Sequence, residues 1–377
     1  FCLPRSFVMA AEDKSAVRGL KSVLDIVVEE DDNTNVVFVP EVQEELKKTD
    51  VHMNDSTYYW NSYAHFGIHE EMLKDQVRTD SYRKAIFGSS SVIKDKIVLD
   101  IGCGTGILSL FSVQAGAKHV YAIDNSSIIE QAKQIAKDNG MDDKITFIRG
   151  VVEEVDLPVD KVDVIISEWM GYFLFYESML DTVIFARDKW LNEGGHLLPD
   201  KATLSICGIE DGDYKEEKIK WWDRVWGFDM SSIKKLTMLE PLVDTVEARN
   251  VVTDHCTFLD VDLNTVTKEE LDWEAPFEIR GIRRDDCHAF VVYFDMQFST
   301  SKPVIEFSTG PHAYYTHWKQ TVFYLDKVLH TSTDDKIVGK ITAKPNQRNH
   351  RDIDISIFYK FEGVHNSANT KQHYFLR

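Results

Sequence analysis

Two carboxylates, Glu168 and Glu177, stand nine positions apart in the stretch from Val164 to Leu180. Trp169, Tyr172, Phe173, Phe175 and Tyr176 lie between them, and Gly171 marks a turn. Two acids in aromatic surroundings form a site for a planar cation. Guanidinium fits best, because its rigid fork of N–H donors meets carboxylates two bonds at a time. The same residues also read as a buried aromatic hairpin carrying two solvated glutamates, and the stretch alone does not choose. His317 is a second candidate, flanked by Tyr314, Tyr315 and Trp318 just before a strand from Gln320 to Leu325. A lone histidine is most often structural; it gains chemistry where a carboxylate orients it.

The elements that must position these groups are legible upstream. A run of β-formers, Val162 to Ile166, leads into Glu168. Lys96 to Gly106 reads as a short buried strand and a glycine-rich turn, followed by an apolar helix from Ile107 to Gln114. Glycines there let the backbone approach a ligand at a helix N-terminus. The spacing is Gly-x-Gly-x-Gly, not the dinucleotide Gly-x-Gly-x-x-Gly. Asp100 precedes the first glycine, and a second strand, Val120 to Ile123, ends in Asp124, which suits a ribose diol. Ser127 and Glu130 have capping-box spacing. Ile145 to Arg149 is a further strand, with Glu153 beyond it. Alternation of strands and helices predicts a doubly wound parallel sheet, with its ligand at the strands' carboxyl ends. The turn, Asp124, Glu153 and Glu168 all fall at such ends. A helix from Asp181 to Leu191, ending near Gly194 and Gly195, closes this half, and Pro199 marks a boundary.

A helical pattern from His69 to Phe87 places His69, Met72, Asp75 and Arg78 at steps of three; ordinary core packing is the default for its methionine. Tyr59 and Tyr63 share a helical face, with Trp60 beside them. After about residue 200 the period changes to two. Phe290, Val292, Phe294, Met296 and Phe298 alternate, as do Ile353, Ile355, Ile357, Tyr359 and Phe361, predicting antiparallel strands of a barrel or sandwich. Tyr214 to Met230 reads as a helical insertion with Trp221, Trp222, Trp226 and Phe228 among charges, which fits an interface or a second core. Residues 1 to about 50 are weakly patterned, and the acidic run Glu29 to Asp32 reads as a solvated tail or linker.

The chain has 377 residues, 43% hydrophobic and 28% charged, enough for two domains with ample cores. A net charge of −19 makes nucleic acid an improbable ligand and a cationic partner a natural one. Cys2, Cys103, Cys207, Cys256 and Cys287 are scattered without a Cys-x-x-Cys pair, which points to a reducing compartment and away from a zinc site. No apolar run reaches membrane-spanning length.

Together these residues resemble the protein arginine methyltransferases of the asymmetric-dimethylating type I, from about Ser56 to Arg377. The most specific stretches are Tyr59 to His69, Val98 to Gly106, Ser167 to Tyr172 with Tyr176 to Leu180, and Thr316 to Trp318. Residues 1–50, an N-terminal extension expected to be flexible, lie outside the resemblance, which implies N-terminal helices with a Rossmann-like S-adenosylmethionine domain over 51–200. It implies a β-barrel over 201–377 with a dimerisation arm at about 212–241, built on Trp221, Trp222, Trp226 and Phe228. Asp100, Gly102, Cys103, Gly104 and Thr105 would form the cofactor turn. Asp124 would take the ribose hydroxyls, Glu153 the adenine amino group, and Arg78 the methionine carboxylate. His69, Met72 and Glu168 would border the cofactor, and Tyr59, Trp60 and Tyr63 would fold over it. Glu168 and Glu177 would clamp the guanidinium, with Met170 and Trp318 as further substrate contacts. His317 would pair with Asp75. No metal is implied, because the sulfonium is already an activated methyl donor.

The implied reaction yields mono- and asymmetric dimethylarginine and S-adenosylhomocysteine, on histone tails and Gly-Arg-rich RNA-binding proteins. Met72 and His317 would leave room for the first methyl. A homodimer or higher oligomer in cytoplasm and nucleus is implied, with neither membrane nor direct nucleic-acid binding. A small-molecule methyltransferase and an inactive cofactor-binding scaffold are the rival readings; the glutamate pair and the large β half weigh against the first, and a suitable group at every catalytic position against the second. Two positions depart from the family pattern: Trp60 stands where Phe is usual, and Asp124, shorter in reach, where Glu is usual.

Overall fold

Residues 19–37 and 63–377 are described by the computed structural model. Its first strands, Leu20–Ser22 (β1) and Asn35–Val37 (β2), attach to sheets built much later in the chain. Phe66–Lys74 (α1) and Gln76–Gly88 (α2) follow. The sequence pattern predicts one helix here; the structure breaks it at Asp75, whose φ of −66° and ψ of 100° are extended. Asp75 closes α1 through its backbone N–H and caps α2 by accepting from the Arg78 N–H at 2.9 Å. A short acidic side chain that satisfies an orphan helix donor makes such a break favourable.

After Ser90–Ile93 (α3) comes the parallel sheet. Its strands are Ile97–Ile101 (β3), His119–Asp124 (β4), Ile145–Arg149 (β5), Val162–Ser167 (β6) and Leu191–Leu198 (β7). Ile107–Gln114 (α4), Ile129–Asp138 (α5) and Met179–Trp190 (α6) alternate with them. The order is β5-β4-β3-β6-β7, every pair parallel. Helices on both faces bury Val98, Leu99, Val120, Ile123, Val164 and Ile166 completely, which is why these strands are continuous apolar runs. The order reverses between β3 and β6, so a crevice opens at their carboxyl ends. Two local expectations fail. The helix stops at Trp190 and the glycine pair lies inside β7, where a Cβ on Gly195 would stand 2.9 Å from the Asp163 carbonyl. The Ser127–Glu130 capping box does not form; Asp124 instead holds the turn through the Ser126 N–H, at 2.7 Å.

The second half begins with Lys201–Ile209 (β8). The arm then runs through a turn at Gly212–Tyr214, a π turn at Lys215–Ile219, a 3-10 turn at Lys220–Asp223 and the helix Ser231–Thr237 (α7). Further strands are Leu242–Asp244 (β9), Cys256–Asp262 (β10), Trp273–Arg280 (β11), Asp285–Phe298 (β12), Ile305–Ser308 (β13), Gln320–Thr331 (β14), Lys336–Pro345 (β15), Ile353–Glu362 (β16) and Ser367–Leu376 (β17). They form two sheets, β1-β10-β8-β12-β14-β9 with β13 beside β12, and β11-β15-β16-β17-β2. The alternating residues of β12 and β16 named above all point inward and are buried. Phe290 meets Phe277 and Tyr359 edge to face across the sheets, at 5.7 and 5.3 Å.

The arm is not the regular helix its sequence predicts. Its root covers the outer face of β8, β12 and β14, where Ile219, Val246, Cys207, Val291 and Tyr324 make a second core. The buried Lys215 ammonium pins that root by donating to the Leu325 carbonyl at 2.7 Å. At the tip, Val225 and Phe228 exchange backbone hydrogen bonds around Trp226 and Gly227, both at positive φ. Trp226 is 93% exposed and Phe228 69%.

The acidic run near the start is not a solvated tail. β1 pairs antiparallel with β10, and β2 pairs parallel with β17. Between them Asp31 meets Lys360 and Asn369, and Glu30 meets Lys371. The run satisfies cations on the outer face of β16 and β17, a complementarity with no local signature in the sequence.

Candidate active site

β3 ends in the glycine turn. Gly102, Gly104 and Gly106 have φ of 69°, 53° and 80°, a region L side chains avoid. A Cβ on Gly104 would stand 3.2 Å from the His69 ring, so the turn and α1 close on each other. Asp124 at the end of β4 accepts from the Gly104 N–H at 2.8 Å. Asp100 lies buried beneath the turn. Its Oδ2 accepts from Ser109 at 2.6 Å and its Oδ1 has no partner among the described residues. Burial pushes this carboxyl up to about 7, the Asp124 charge adds to the rise, and the Ser109 hydroxyl opposes it. Burial likewise pushes the Cys103 thiol well up, so it lines the wall uncharged.

β6 ends at Ser167 and delivers Glu168. A hairpin follows, with Phe173, Leu174, Glu177 and Ser178 all at positive φ. Gly171 has no alternative there: a Cβ would stand 2.1 Å from the Tyr176 carbonyl oxygen. The hairpin folds Glu177 back toward Glu168, and both line one cavity of about 420 Å³. Each has a donor of its own. The Arg78 guanidinium binds Glu168 Oε2 through Nε and Nη2, both at 2.9 Å, with both side chains 8% exposed. The Tyr63 hydroxyl donates to Glu177 Oε2 at 2.9 Å.

His317 reaches the cavity from the barrel side. Its backbone N–H and Nδ1 both meet Asp75 Oδ2, at 2.9 and 2.8 Å. Burial alone would raise the Asp75 carboxyl. The hydrogen bonds from the His317 ring, the Arg78 N–H and the His317 N–H outweigh it and hold the group below the ordinary carboxylate range. An ionised carboxylate only accepts, so Nδ1 carries a proton and the ring is oriented by that bond.

Most of the residues singled out by sequence converge. Tyr63, His69, Met72, Arg78, Gly102, Cys103, Gly104, Thr105, Asp124, Glu153, Glu168, Met170, Glu177 and His317 all line the cavity. Asp75 and Asp100 stand behind its wall. Trp318 does not reach it; the side chain is 3% exposed, stacks on Phe307 at 5.6 Å and donates to the Met170 carbonyl at 2.7 Å. Its amphipathic ring is a fastener between barrel and hairpin. Arg78 is committed to Glu168, and Tyr63 to Glu177, links that spacing could not reveal. Tyr59 and Trp60 lie outside the described residues. Sequence reasoning missed the loop Asn349, His350 and Arg351, which lines the cavity from between β15 and β16. It also missed Thr182, which donates to Glu153 at 2.7 Å.

Comparison with known proteins decides the family. Residues 98–195 match the profile described as a methyltransferase domain, and residues 200–364 that described as the arginine methyltransferase oligomerization subdomain. Protein arginine N-methyltransferase 1 of Chlamydomonas reinhardtii is 59% identical over 320 residues, 85% of this chain and 93% of that protein. The protein of the same name from Schizosaccharomyces pombe is 56% identical over 315 residues, 84% of this chain and 93% of that protein. The chain belongs to the protein arginine N-methyltransferases. A solved Trypanosoma brucei PRMT1 enzyme-prozyme heterotetrameric complex with AdoHcy has a TM-score of 0.82 at 45% identity, covering 84% of this chain and 100% of that one. Arabidopsis thaliana protein arginine methyltransferase 10 follows with a TM-score of 0.76 at 28% identity, covering 85% and 100%.

The methyltransferase uses S-adenosylmethionine, and the site fits that group. The glycine turn keeps its backbone bare of side chains, Asp100 Oδ1 is a buried acceptor without a partner among the described residues, and Asp124 stands at the neighbouring strand end. Among the described residues no cluster could hold a metal ion, and no helix is long and apolar enough to cross a membrane.

Proposed function

We propose that this enzyme is a type I member, giving monomethyl- and then asymmetric dimethylarginine, with Glu168 and Glu177 as the clamp on the substrate guanidinium. One observation carries the reading: two glutamates from opposite flanks of one strained hairpin line the same cavity as a carboxylate-oriented histidine. Guanidinium is a weak nucleophile because its charge is delocalised. Carboxylates on one side localise that charge and leave the opposite nitrogen to react. Arg78 and Tyr63 fix the two glutamates, and a carboxylate offers about four acceptor positions, so neither bond uses the group up. S-adenosylmethionine, when bound, supplies an activated methyl. Asp100, the glycine turn, Asp124 and Glu153 hold it, and His317 Nε2 or a glutamate takes the proton.

The asymmetric product requires the methylated nitrogen to return to the attacking position; Met72 lines the cavity and sets the room for it. Histone tails and Gly-Arg-rich RNA-binding proteins are the proposed substrates, drawn by the charge of −19. A homodimer through the arm is proposed, in cytoplasm and nucleus; the free thiols of Cys103, Cys207, Cys256 and Cys287 support a reducing compartment.

The test is incubation with methyl-labelled S-adenosylmethionine and a Gly-Arg-rich peptide, followed by hydrolysis and chromatography. Asymmetric dimethylarginine is expected, and symmetric dimethylarginine as main product would overturn the type I assignment. Glu177→Gln should lose about 100-fold or more in kcat with cofactor binding retained. Near-parental turnover would remove the clamp.

A further inference from the structure

The hairpin that carries Glu177 is held from outside its own domain. Glu177 and Ser178 have φ of 76° and 55°. Such conformations persist in non-glycine residues only where the surroundings over-determine them. The surroundings here are the barrel loop between β15 and β16. The Glu177 N–H donates to the Arg351 carbonyl at 2.9 Å, and Arg351 Nη1 donates to the Glu177 carbonyl at 3.0 Å. One residue of the barrel thus takes both backbone groups of the glutamate. The Ser178 hydroxyl donates to the next carbonyl, that of His350, and the His350 ring meets Asp181 at 2.5 Å. The loop is itself braced, because Asn349 Oδ1 accepts from the Arg351 N–H at 3.2 Å and its Nδ2 donates to Asp352 at 3.0 Å.

We propose that Arg351 is a positioning residue for the methyl transfer, acting as the barrel's latch on Glu177. The proposal rests on the reading of Glu177 as half of the guanidinium clamp. Glu168 needs no such latch, since it follows directly on a buried strand. Glu177 sits nine residues later on a strained loop, and its carboxylate is aimed only as well as its backbone is held. Arginine suits the task because one guanidinium N–H can reach a carbonyl while its own carbonyl accepts in return. The latch also ties the chemistry to the barrel, so the site is complete only when both halves are docked.

The test uses the full chain and the Gly-Arg-rich peptide. Arg351→Ala should lower kcat/KM for the peptide by about 10- to 100-fold, the cost of misplacing a reacting group by a fraction of an ångström. Calorimetric affinity for S-adenosylhomocysteine should stay within about 2-fold, since none of the latch bonds involves the cofactor turn. Arg351→Lys keeps the loop backbone and a donor and should recover part of the loss. Lys344→Ala removes a like charge from an exposed position at the end of β15, just before the same loop, and should leave turnover near the parent. Equal losses in Lys344→Ala and Arg351→Ala would make the effect one of charge and overturn the latch. Parental turnover in Arg351→Ala would overturn it outright while a deficient Glu177→Gln leaves the clamp standing. If Glu177→Gln is itself unimpaired, the clamp falls and the latch falls with it.

Discussion

Asp75 and Asp100 are both buried acids at this site, and their surroundings push them in opposite directions. Asp75 accepts three hydrogen bonds and lies low; Asp100 accepts one and lies high. The sign for Asp100 follows from linkage. A carboxyl at about 3.9 in the unfolded chain and about 7 in the ligand-free fold favours the protonated native state. Its contribution is full below the unfolded value and is lost as pH rises through the folded one. Ligand-free Asp100→Asn should therefore gain stability relative to the parent between pH 5 and pH 8, by about a few kcal/mol, and should bind cofactor more weakly. Denaturant unfolding at both pH values checks this, and parallel curves for the two proteins would refute it. For Asp75 the sign is reversed: its contribution is present above the ordinary carboxylate value and is lost as pH falls through its lowered one.

Among the elements, the arm carries an unpaid conformational cost. Trp226 occupies the first left-handed position of a two-residue turn that glycine or asparagine would fill more easily. Among the described residues nothing offsets this, since the ring is 93% exposed. The proposed dimer partner would offset it by burying Trp226, Phe228 and the half-exposed Trp221. Trp226→Ser should shift sedimentation toward monomer, and adding Trp221→Ser and Trp222→Ser should complete the shift with weak residual activity. A triple variant that sediments as the parent does would place the interface elsewhere. The hairpin of Phe173 and Leu174 repeats the same backbone problem, but there the rings and the Arg351 loop supply the offset within the chain.

At the scale of the molecule, the halves are fastened at several separate points. Tyr82 of α2 meets Phe298 of the barrel at 5.0 Å, Trp318 binds the hairpin, and Arg351 holds Glu177. Near the start of the chain, β1 extends one barrel sheet and β2 the other, so a single short segment bridges both. The ion pairs along it are exposed and worth little individually, so its value lies in covered strand edges. Deleting residues 1–37 should lower the melting temperature by about 2–4 °C for each kcal/mol lost and leave methyl transfer to the peptide largely intact. A melting temperature identical to the parent's would show that the segment contributes nothing to the fold.

The alternation of parallel strands and helices, the glycine turn with Asp100 and Asp124 and the inward faces of β12 and β16 were all legible in the sequence itself. Each is a local pattern, set by a period of two or 3.6, a glycine at a left-handed turn, or an acid at a strand end, and such patterns are written in neighbouring residues. Family likeness supplied the link from Asp75 to His317, which are 242 positions apart. Only the tertiary structure decided that Arg78 would spend its fork on Glu168, that Trp318 would be buried, that an acidic run would edge the barrel, and that Arg351 would hold Glu177. Those contacts join segments whose own sequences are equally content in water. They form because packing the two halves brings donors and acceptors together where burial makes an unmet one costly, and no local pattern encodes that meeting.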